Sequence, residues 1–305
     1  MSRELFATPP FKPFIDEADV RIGDLEESSR VGLTGIPWDW STAGDPGARR
    51  APEEIRRILY RLPTLSGVLG PVECRPRDWG DVAVEPCDWR VTRERIREAA
   101  RILYESHRFA IFLGGDHSIT GETVASLIER TGGCVGLLML DSHFDLRSPR
   151  GGVTSGRWLG DLYREYGPAR LATLILGIGE YTNPAYLAAK AEELGIRYLA
   201  ALEVYHDIDR AYDEIDRLAL MDCDAYYITI DMDHISEAYA PGVNSPSPIG
   251  LEPQQTLALL AYAMTTLKPA AADITEVVPA KDASGRTVRL AARIVEFLAH
   301  LACRI

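Results

Sequence analysis

Short continuous apolar runs alternate with amphipathic stretches along most of this chain. Val31–Ile36 is strand-like and stops at Pro37, and Phe109–Leu113 is apolar up to Gly114-Gly115. Cys134–Leu140 is continuously apolar, as a strand buried on both faces must be. Leu171–Leu176, Arg197–Leu199, Tyr226–Ile230 and Ala271–Val277 read as further strands. Between them Glu53–Tyr60, Val91–His107, Ile119–Glu129, Pro184–Leu194, Glu252–Leu267 and Thr287–Leu301 read as helices. Val91–His107 shows why: Ile96, Ala99, Ala100 and Leu103 recur at helical spacing among Arg and Glu. Repeated strand–helix units predict a three-layer α/β/α fold around a central, mostly parallel sheet. Residues 1–30 read as an irregular N-terminal arm and residues 31–305 as a single domain, since no repeat or linker divides them.

Composition narrows the function classes. A chain of 305 residues with 46% apolar and 26% charged positions buries a substantial core. No apolar run approaches the ~18 residues of a membrane span, and the N-terminus lacks the apolar stretch of a signal peptide, so a cytoplasmic protein without a membrane partner is expected. A net charge of −12 argues against nucleic acid, whose phosphates want a basic face. The five cysteines, Cys74, Cys87, Cys134, Cys223 and Cys303, are odd in number and show no C-x-x-C pair. Reduced structural thiols are expected, not a zinc ribbon or a disulfide framework.

The chemistry sits after three of the predicted strands. Gly114-Gly115-Asp116-His117-Ser118 follows the first, Asp141-Ser142-His143-Phe144-Asp145 the second, and Asp231-Met232-Asp233 the third. In open α/β sheets functional residues gather at the C-terminal ends of strands. In extended chain, residues i, i+2 and i+4 point to one side, so Asp141, His143 and Asp145 converge, as do Asp231 and Asp233. A lone histidine after a strand often caps or packs, and a D-x-D often caps the next helix. The D-x-H-x-D alternation has no such structural use. With His117 added, four carboxylates and two imidazoles share one small volume. They cannot all stay ionised without compensating charge, which two divalent cations supply. Carboxylate with a minority of imidazole and no thiolate suits Mn²⁺ better than Zn²⁺, with Fe²⁺, Co²⁺ and Ni²⁺ also compatible.

These motifs, in this order, resemble the arginase/agmatinase (ureohydrolase) superfamily, the third being followed by Ala240-Pro241-Gly242. Pro46-Gly47-Ala48-Arg49 with Ala51-Pro52 and Ile55-Arg56 is similar to the family's N-terminal segment. Trp79-Gly80-Asp81-Val82 is similar to its "D-x-GD" strand end, and Asp273-Ile274-Thr275-Glu276 with Pro279 to its "DxxEvnP" strand. The resemblance runs from about Val31 to the C-terminus and implies an arginase-like fold for residues 31–305. It implies a buried metal held by His117, Asp141, Asp145 and Asp231, and a second held by Asp141, His143, Asp231 and Asp233. Glu276 matches the glutamate that pairs with the substrate's amidinium or guanidinium group. The implied reaction is hydrolysis of a C–N bond at an amidine-like carbon of a small molecule, with Asp145 moving the proton. Family members often form trimers or hexamers, so a homo-oligomer is implied.

One stretch departs from arginases and agmatinases, where a histidine in a His-Gly pair follows the second motif. Here Gly152-Val153-Thr154-Ser155-Gly156-Arg157-Trp158 puts Ser155-Gly156 in that place, with Arg157 and Trp158 expected near the pocket mouth. The Ser-Gly pair, His143-Phe144-Asp145-Leu146-Arg147, Leu176-Gly177-Ile178 with Asn183, and Ala240-Pro241-Gly242-Val243 with Ser245-Pro246 are closer to formimidoylglutamases, which act on an acidic substrate. Their "SGTPF" is here Ser155-Gly156-Arg157-Trp158-Leu159. Ser155 and Arg157 are therefore the expected substrate contacts, with Arg157 able to clamp a carboxylate. The expected activity is formimidoylglutamase-like, releasing formamide from N-formimino-L-glutamate. The alternatives are a urea-releasing amidinohydrolase of the agmatinase, arginase, guanidinobutyrase or hydroxyarginine type, and a non-catalytic metal-bound homologue. Trp38 and Trp40 are candidate pocket walls, with core packing as the competing role.

Overall fold

Strand β7 (Val135–Leu140) is buried at every position, and its side chains divide between two apolar cores. Leu138 and Leu140 enter one, Val135, Leu137 and Met139 the other, as the two-residue period of a strand requires. In the computed structural model residues 6–7, 29–72, 74, 76–148 and 154–305 are described. The remaining strands are β1 (Phe6–Ala7), β2 (Val31–Ile36), β3 (Leu65–Ser66), β4 (Gly70–Pro71), β5 (Arg77–Val82), β6 (Phe109–Gly114), β8 (Leu171–Ile178), β9 (Arg197–Ala200), β10 (Ala225–Asp231) and β11 (Ala271–Thr275). The main sheet has nine strands in the order β1-β5-β2-β6-β11-β10-β7-β8-β9. All its pairs are parallel except β1 against β5, while β3 and β4 form a separate antiparallel pair.

Helices cover both faces. On one side α1 (Ala51–Leu59), α6 (Ala201–His206), α7 (Ile208–Ala219), α8 (Pro253–Leu267) and α9 (Arg286–Ala302) close the first core. On the other, α2 (Trp89–Ser106), α3 (Ser118–Thr131), α4 (Trp158–Tyr166) and α5 (Ala185–Glu193) close the second. The three-layer α/β/α expectation holds. Of the expected N-terminal arm, residues 1–5 and 8–28 lie outside the described residues, and Phe6–Ala7 forms the antiparallel edge strand.

Three further points differ from the sequence reading. β11 ends at Thr275 and not at Val277, because Glu276 turns to φ 61°, which no strand residue adopts. Helices α4, α6 and α7 were not anticipated, although α7 carries Ile208, Ala211, Ile215 and Leu218 at helical spacing. The expectation of reduced thiols is corrected: Cys74 pairs with Cys303 and Cys134 with Cys223, with Cα–Cα distances of 5.9 and 4.8 Å. Sequence spacing reveals only local pairs, and these partners lie 229 and 89 residues apart until the sheet brings them together. Among the described residues no helix is long and apolar enough to cross a membrane.

The N-terminal motifs prove to be scaffold. Arg56 on α1 is buried and donates from Nε to Asp78 Oδ2 at 2.8 Å and from Nη2 to Gly80 O at 2.8 Å, with Asp81 as a further partner. Tyr60 Oη donates to Asp78 Oδ2 at 3.0 Å. Asp39 accepts from Gly47 N at 2.6 Å and pairs with Arg49 at 2.9 Å, fixing the turn before α1.

Arg56→Ala leaves Asp78 buried without its cation, and urea unfolding should show a loss of about 3–5 kcal/mol. A loss under about 1 kcal/mol would contradict this account of how α1 docks on β5. Alkylation of the denatured, unreduced chain should label Cys87 and none of the other cysteines, read by mass spectrometry.

Candidate active site

Four strands adjacent in the sheet, β6, β11, β10 and β7, carry the site at their C-terminal ends. β6 leads into Gly115-Asp116-His117, and the chain passes so close to Trp38 that Asp116 N donates to its carbonyl at 2.8 Å. A Cβ on Gly115 would overlap that carbonyl, so glycine is required there. β7 leads into Asp141-Ser142-His143-Phe144-Asp145, β10 into Asp231-Met232-Asp233, and β11 into Glu276. Asp145 (φ 49°) and Glu276 (φ 61°) both hold left-handed backbone, a strain that clusters at functional sites.

The six residues expected as ligands converge. His117 Nδ1 lies 3.1 Å from Asp141 Oδ2, 3.1 Å from Asp145 Oδ2 and 3.2 Å from Asp231 Oδ2. His143 Nδ1 lies 2.9 Å from Asp233 Oδ2 and 3.5 Å from Asp141 Oδ1. Donors that share one octahedral cation at about 2.1 Å stand about 3 Å apart, so these separations suit one ion in each group. Asp141 turns one oxygen to each group, as a bridging carboxylate does. His117 Nδ1 and Asp141 Oδ2 are buried without a hydrogen-bond partner. Buried polar atoms are rarely left so, and a cation would satisfy both. The residues present therefore fit a dinuclear metal centre.

The other ring nitrogen of His117 explains its orientation. Nε2 lies 2.8 Å from Thr229 Oγ1, and that hydroxyl donates to Asp273 Oδ1 at 2.6 Å. Its proton being spent on Asp273, Thr229 accepts from Nε2–H, which leaves Nδ1 with its lone pair toward the carboxylates. Asp273 accepts from Thr120 at 2.7 Å and Tyr227 at 2.8 Å on its other oxygen. Neither Thr229 nor Asp273 was foreseen as a support of the site; Asp273 lay in a matched motif but was assigned no role.

The electrostatics describe a centre that wants positive charge. Burial, with the charges of Asp145 and Asp233, pushes Asp141 up to about 6. Burial, with Asp233 and Asp141, holds Asp231 well above the usual carboxylate range. Burial works against charge on His143, yet Asp233 and Asp141 push it up to about 12, and in return His143 draws Asp233 down to about 2 against the effect of its own burial. Glu276 is pushed up to about 8 by burial, with the Asp116 carboxylate adding to it.

A cavity of about 240 Å³ opens over the centre, lined by His117, His143, Asp145, Asp231, Asp233 and Glu276. Thr42, Arg147, Ser155, Asn244 and Ser245 also line it. Glu276 Oε1 accepts from His117 N at 2.9 Å. Ser155 is where the sequence put it, but Arg157 is not. Its guanidinium turns away to Asp161 at 2.9 Å and lines a separate cavity of about 470 Å³. The reason is local: Arg157 closes a 3₁₀ turn at the head of α4, and Asp161 stands one helical turn on. The exposed cation at the metal cavity is Arg147, which sequence quoted within the second motif without assigning it a role. Among the described residues Arg147 has no carboxylate partner.

The expected pocket mouth position of Trp158 is also corrected. It is buried beside His117, ring centroids 4.9 Å apart. Trp38 is buried and donates to Ser41 Oγ at 2.9 Å, and Trp40 lies under Arg49; neither lines the metal cavity. His234 uses one nitrogen on the Asp231 carbonyl and the other on the Thr256 hydroxyl, and burial draws it down to about 4. It is a structural residue.

Comparison with known proteins finds similarity along most of the chain. The model of the arginase family matches residues 29–300. A formimidoylglutamase from Halobacterium salinarum is 34% identical over 271 residues, covering 88% of this chain and 86% of that protein. The crystal structure of formimidoylglutamase from Bacillus subtilis superposes with a TM-score of 0.85 at 27% identity, covering 97% of this chain and 95% of that one. Proclavaminate amidino hydrolase from Streptomyces clavuligerus superposes with a TM-score of 0.82 at 27% identity, covering 94% and 96%.

Thr229→Val removes the hydroxyl that orients His117 while keeping its shape. Manganese titration of the metal-stripped protein should show affinity at one ion weakened about 10–100-fold. Unchanged binding would rule out the Thr229–Asp273 support.

Proposed function

This chain belongs to the arginase family, and from that premise we propose that it hydrolyses the C–N bond of N-formimino-L-glutamate, giving glutamate and formamide. One observation carries the reading: a single cavity has a buried carboxyl, Glu276, which a bound amidinium would draw into its ionised form, beside the ligand cluster and an exposed cation, Arg147, in its wall. An amidinium needs the first and a substrate carboxylate needs the second. An agmatine-like cationic tail would meet Arg147 as a like charge. The formimidoylglutamase relative, aligned over most of both chains, supports the same substrate.

Two divalent cations would be held by His117, Asp141, Asp145 and Asp231 and by Asp141, His143, Asp231 and Asp233, and would supply the positive charge that makes a nearby water more acidic. The protein's own groups do the rest. Glu276 is fixed through Oε1 by the His117 amide, which leaves Oε2 for the formimino nitrogen. That contact holds the electrophilic carbon over the ligand cluster. Asp145 takes a proton from water as its oxygen joins this carbon, and the bond to the glutamate nitrogen breaks as Asp145 passes that proton to the leaving amine. Ser155 and Arg147 hold the carboxylate end; Arg157, committed to Asp161, takes no part. Manganese as native metal and a trimeric or hexameric assembly belong to the same proposal. Metal analysis and the solution mass of purified protein test the first and the last.

The deciding assay offers the manganese-loaded enzyme N-formimino-L-glutamate, agmatine, arginine and guanidinobutyrate. Formamide from the first supports the proposal. Urea from any of the others moves the chain to the amidinohydrolases, and silence across the panel makes it a non-catalytic homologue. Arg147→Ala should raise KM for N-formimino-L-glutamate about tenfold and change KM for an uncharged formamidine less than twofold. Arg157→Ala should leave both where they are. Equal effects of Arg147→Ala on the two substrates would remove it as the carboxylate's partner.

A further inference from the structure

Asp145 is asked to bind a cation and to carry a proton, and its backbone does not fix its side chain. It stands in left-handed conformation, φ 49°, at the end of the loop that follows β7. Its orientation is set by one side chain. Trp158 Nε1 donates to Asp145 Oδ2 at 2.6 Å, and this is the same oxygen that faces His117 Nδ1 at 3.1 Å. The indole cannot easily shift. It is 4% exposed, lies against the His117 ring at a centroid distance of 4.9 Å, and lines the 470 Å³ cavity.

The segment around Trp158 is anchored from several sides. Ser155 N donates to Ser41 O at 2.7 Å and Arg147 N to Gly156 O at 3.1 Å, so the turn before Trp158 is tied to two other loops. Gly160 N donates to Asp145 O at 3.3 Å, which ties the first turn of α4 to the backbone of Asp145 itself. Trp158 stands where the resembling "SGTPF" has proline, a residue with no side-chain donor.

We propose that Trp158 is a positioning residue of the metal centre: its indole N–H pins Asp145 Oδ2 on the cation shared with His117 and leaves Oδ1 to face the cavity and carry the proton. The assignment rests on reading the site as a metal centre. A neutral donor suits the task. It orients the carboxylate without bringing a second cation to compete with the metal, and residues that orient ligands in this way typically tune affinity or activity by about 10–100-fold.

The experiment uses Trp158→Phe, which keeps an aromatic ring beside His117 and removes the N–H. Metal-stripped wild-type and variant protein are titrated with manganese by calorimetry, and both are assayed with N-formimino-L-glutamate. Wild type should take up two ions. The variant should bind one of them about 10–100-fold more weakly. Its kcat should fall while KM changes less than twofold, and the melting point of the metal-free protein should stay within a few degrees. A role in packing alone would instead lower the metal-free melting point and leave manganese affinity intact, which overturns the proposal. So would wild-type affinity with wild-type kcat. Wild-type protein that binds no manganese overturns the metal centre itself, a different failure. Should the variant not fold, the five indole N–H signals of the wild-type protein decide the matter. One should be strongly protected from exchange and broadened first by substoichiometric manganese, and five signals that respond alike would refute the contact.

Discussion

Asp141, Asp145, Asp231 and Asp233 are all buried, and each comes within about 3 Å of one of two imidazole nitrogens. Like charges so placed, with little water to screen them, repel one another unless positive charge lies among them. The chain can keep this arrangement only if its backbone is too rigid to let the carboxylates drift apart. Four adjacent parallel strands in mid-sheet supply that rigidity, because each is locked by neighbours on both edges and by a core on both faces. The most repulsive residues thus sit on the least deformable part of the fold.

Support extends outward from this cluster in two directions. Beneath His117, Thr229 and Asp273 fix which ring nitrogen faces the carboxylates, with Thr120 and Tyr227 completing the coordination of Asp273. Beside it, Ser41 ties three loops together. Its hydroxyl accepts from Trp38, its amide donates to Asp116, and its carbonyl accepts from Ser155. The residue next to a proposed ligand and the substrate-side turn are therefore held by the same serine. Small losses in this frame would be felt at the reacting atoms, since positional errors of about an ångström are costly in catalysis.

Much of this was legible in the chain. The continuous apolar run before Asp141 identified a strand buried on both faces, and the alternation Asp141, His143, Asp145 located the converging groups at its end. Both rest on local periodicity, which the backbone enforces whatever surrounds it. Arg157 shows where such reasoning stops. Its place beside Ser155 put it near the pocket in sequence, yet the 3₁₀ turn and the first turn of α4 rotate it to Asp161. Arg147, ten positions earlier, lines the metal cavity instead. The cysteines make the same point over longer distance, since Cys74 meets Cys303 only once the sheet is assembled.

By itself the sequence determined the alternating strand–helix architecture, the strand ends that carry the candidate site and which six carboxylate and imidazole groups converge there. Those are properties of residue type and of the two-residue and 3.6-residue periods. Only the tertiary structure decided which cation lines the cavity, that Trp158 donates to Asp145, that Thr229 and Asp273 orient His117, and which thiols pair. Each of these depends on where a side chain points after a turn, or on two segments far apart in the chain meeting. Long-range packing fixes both, and no short window of sequence contains it.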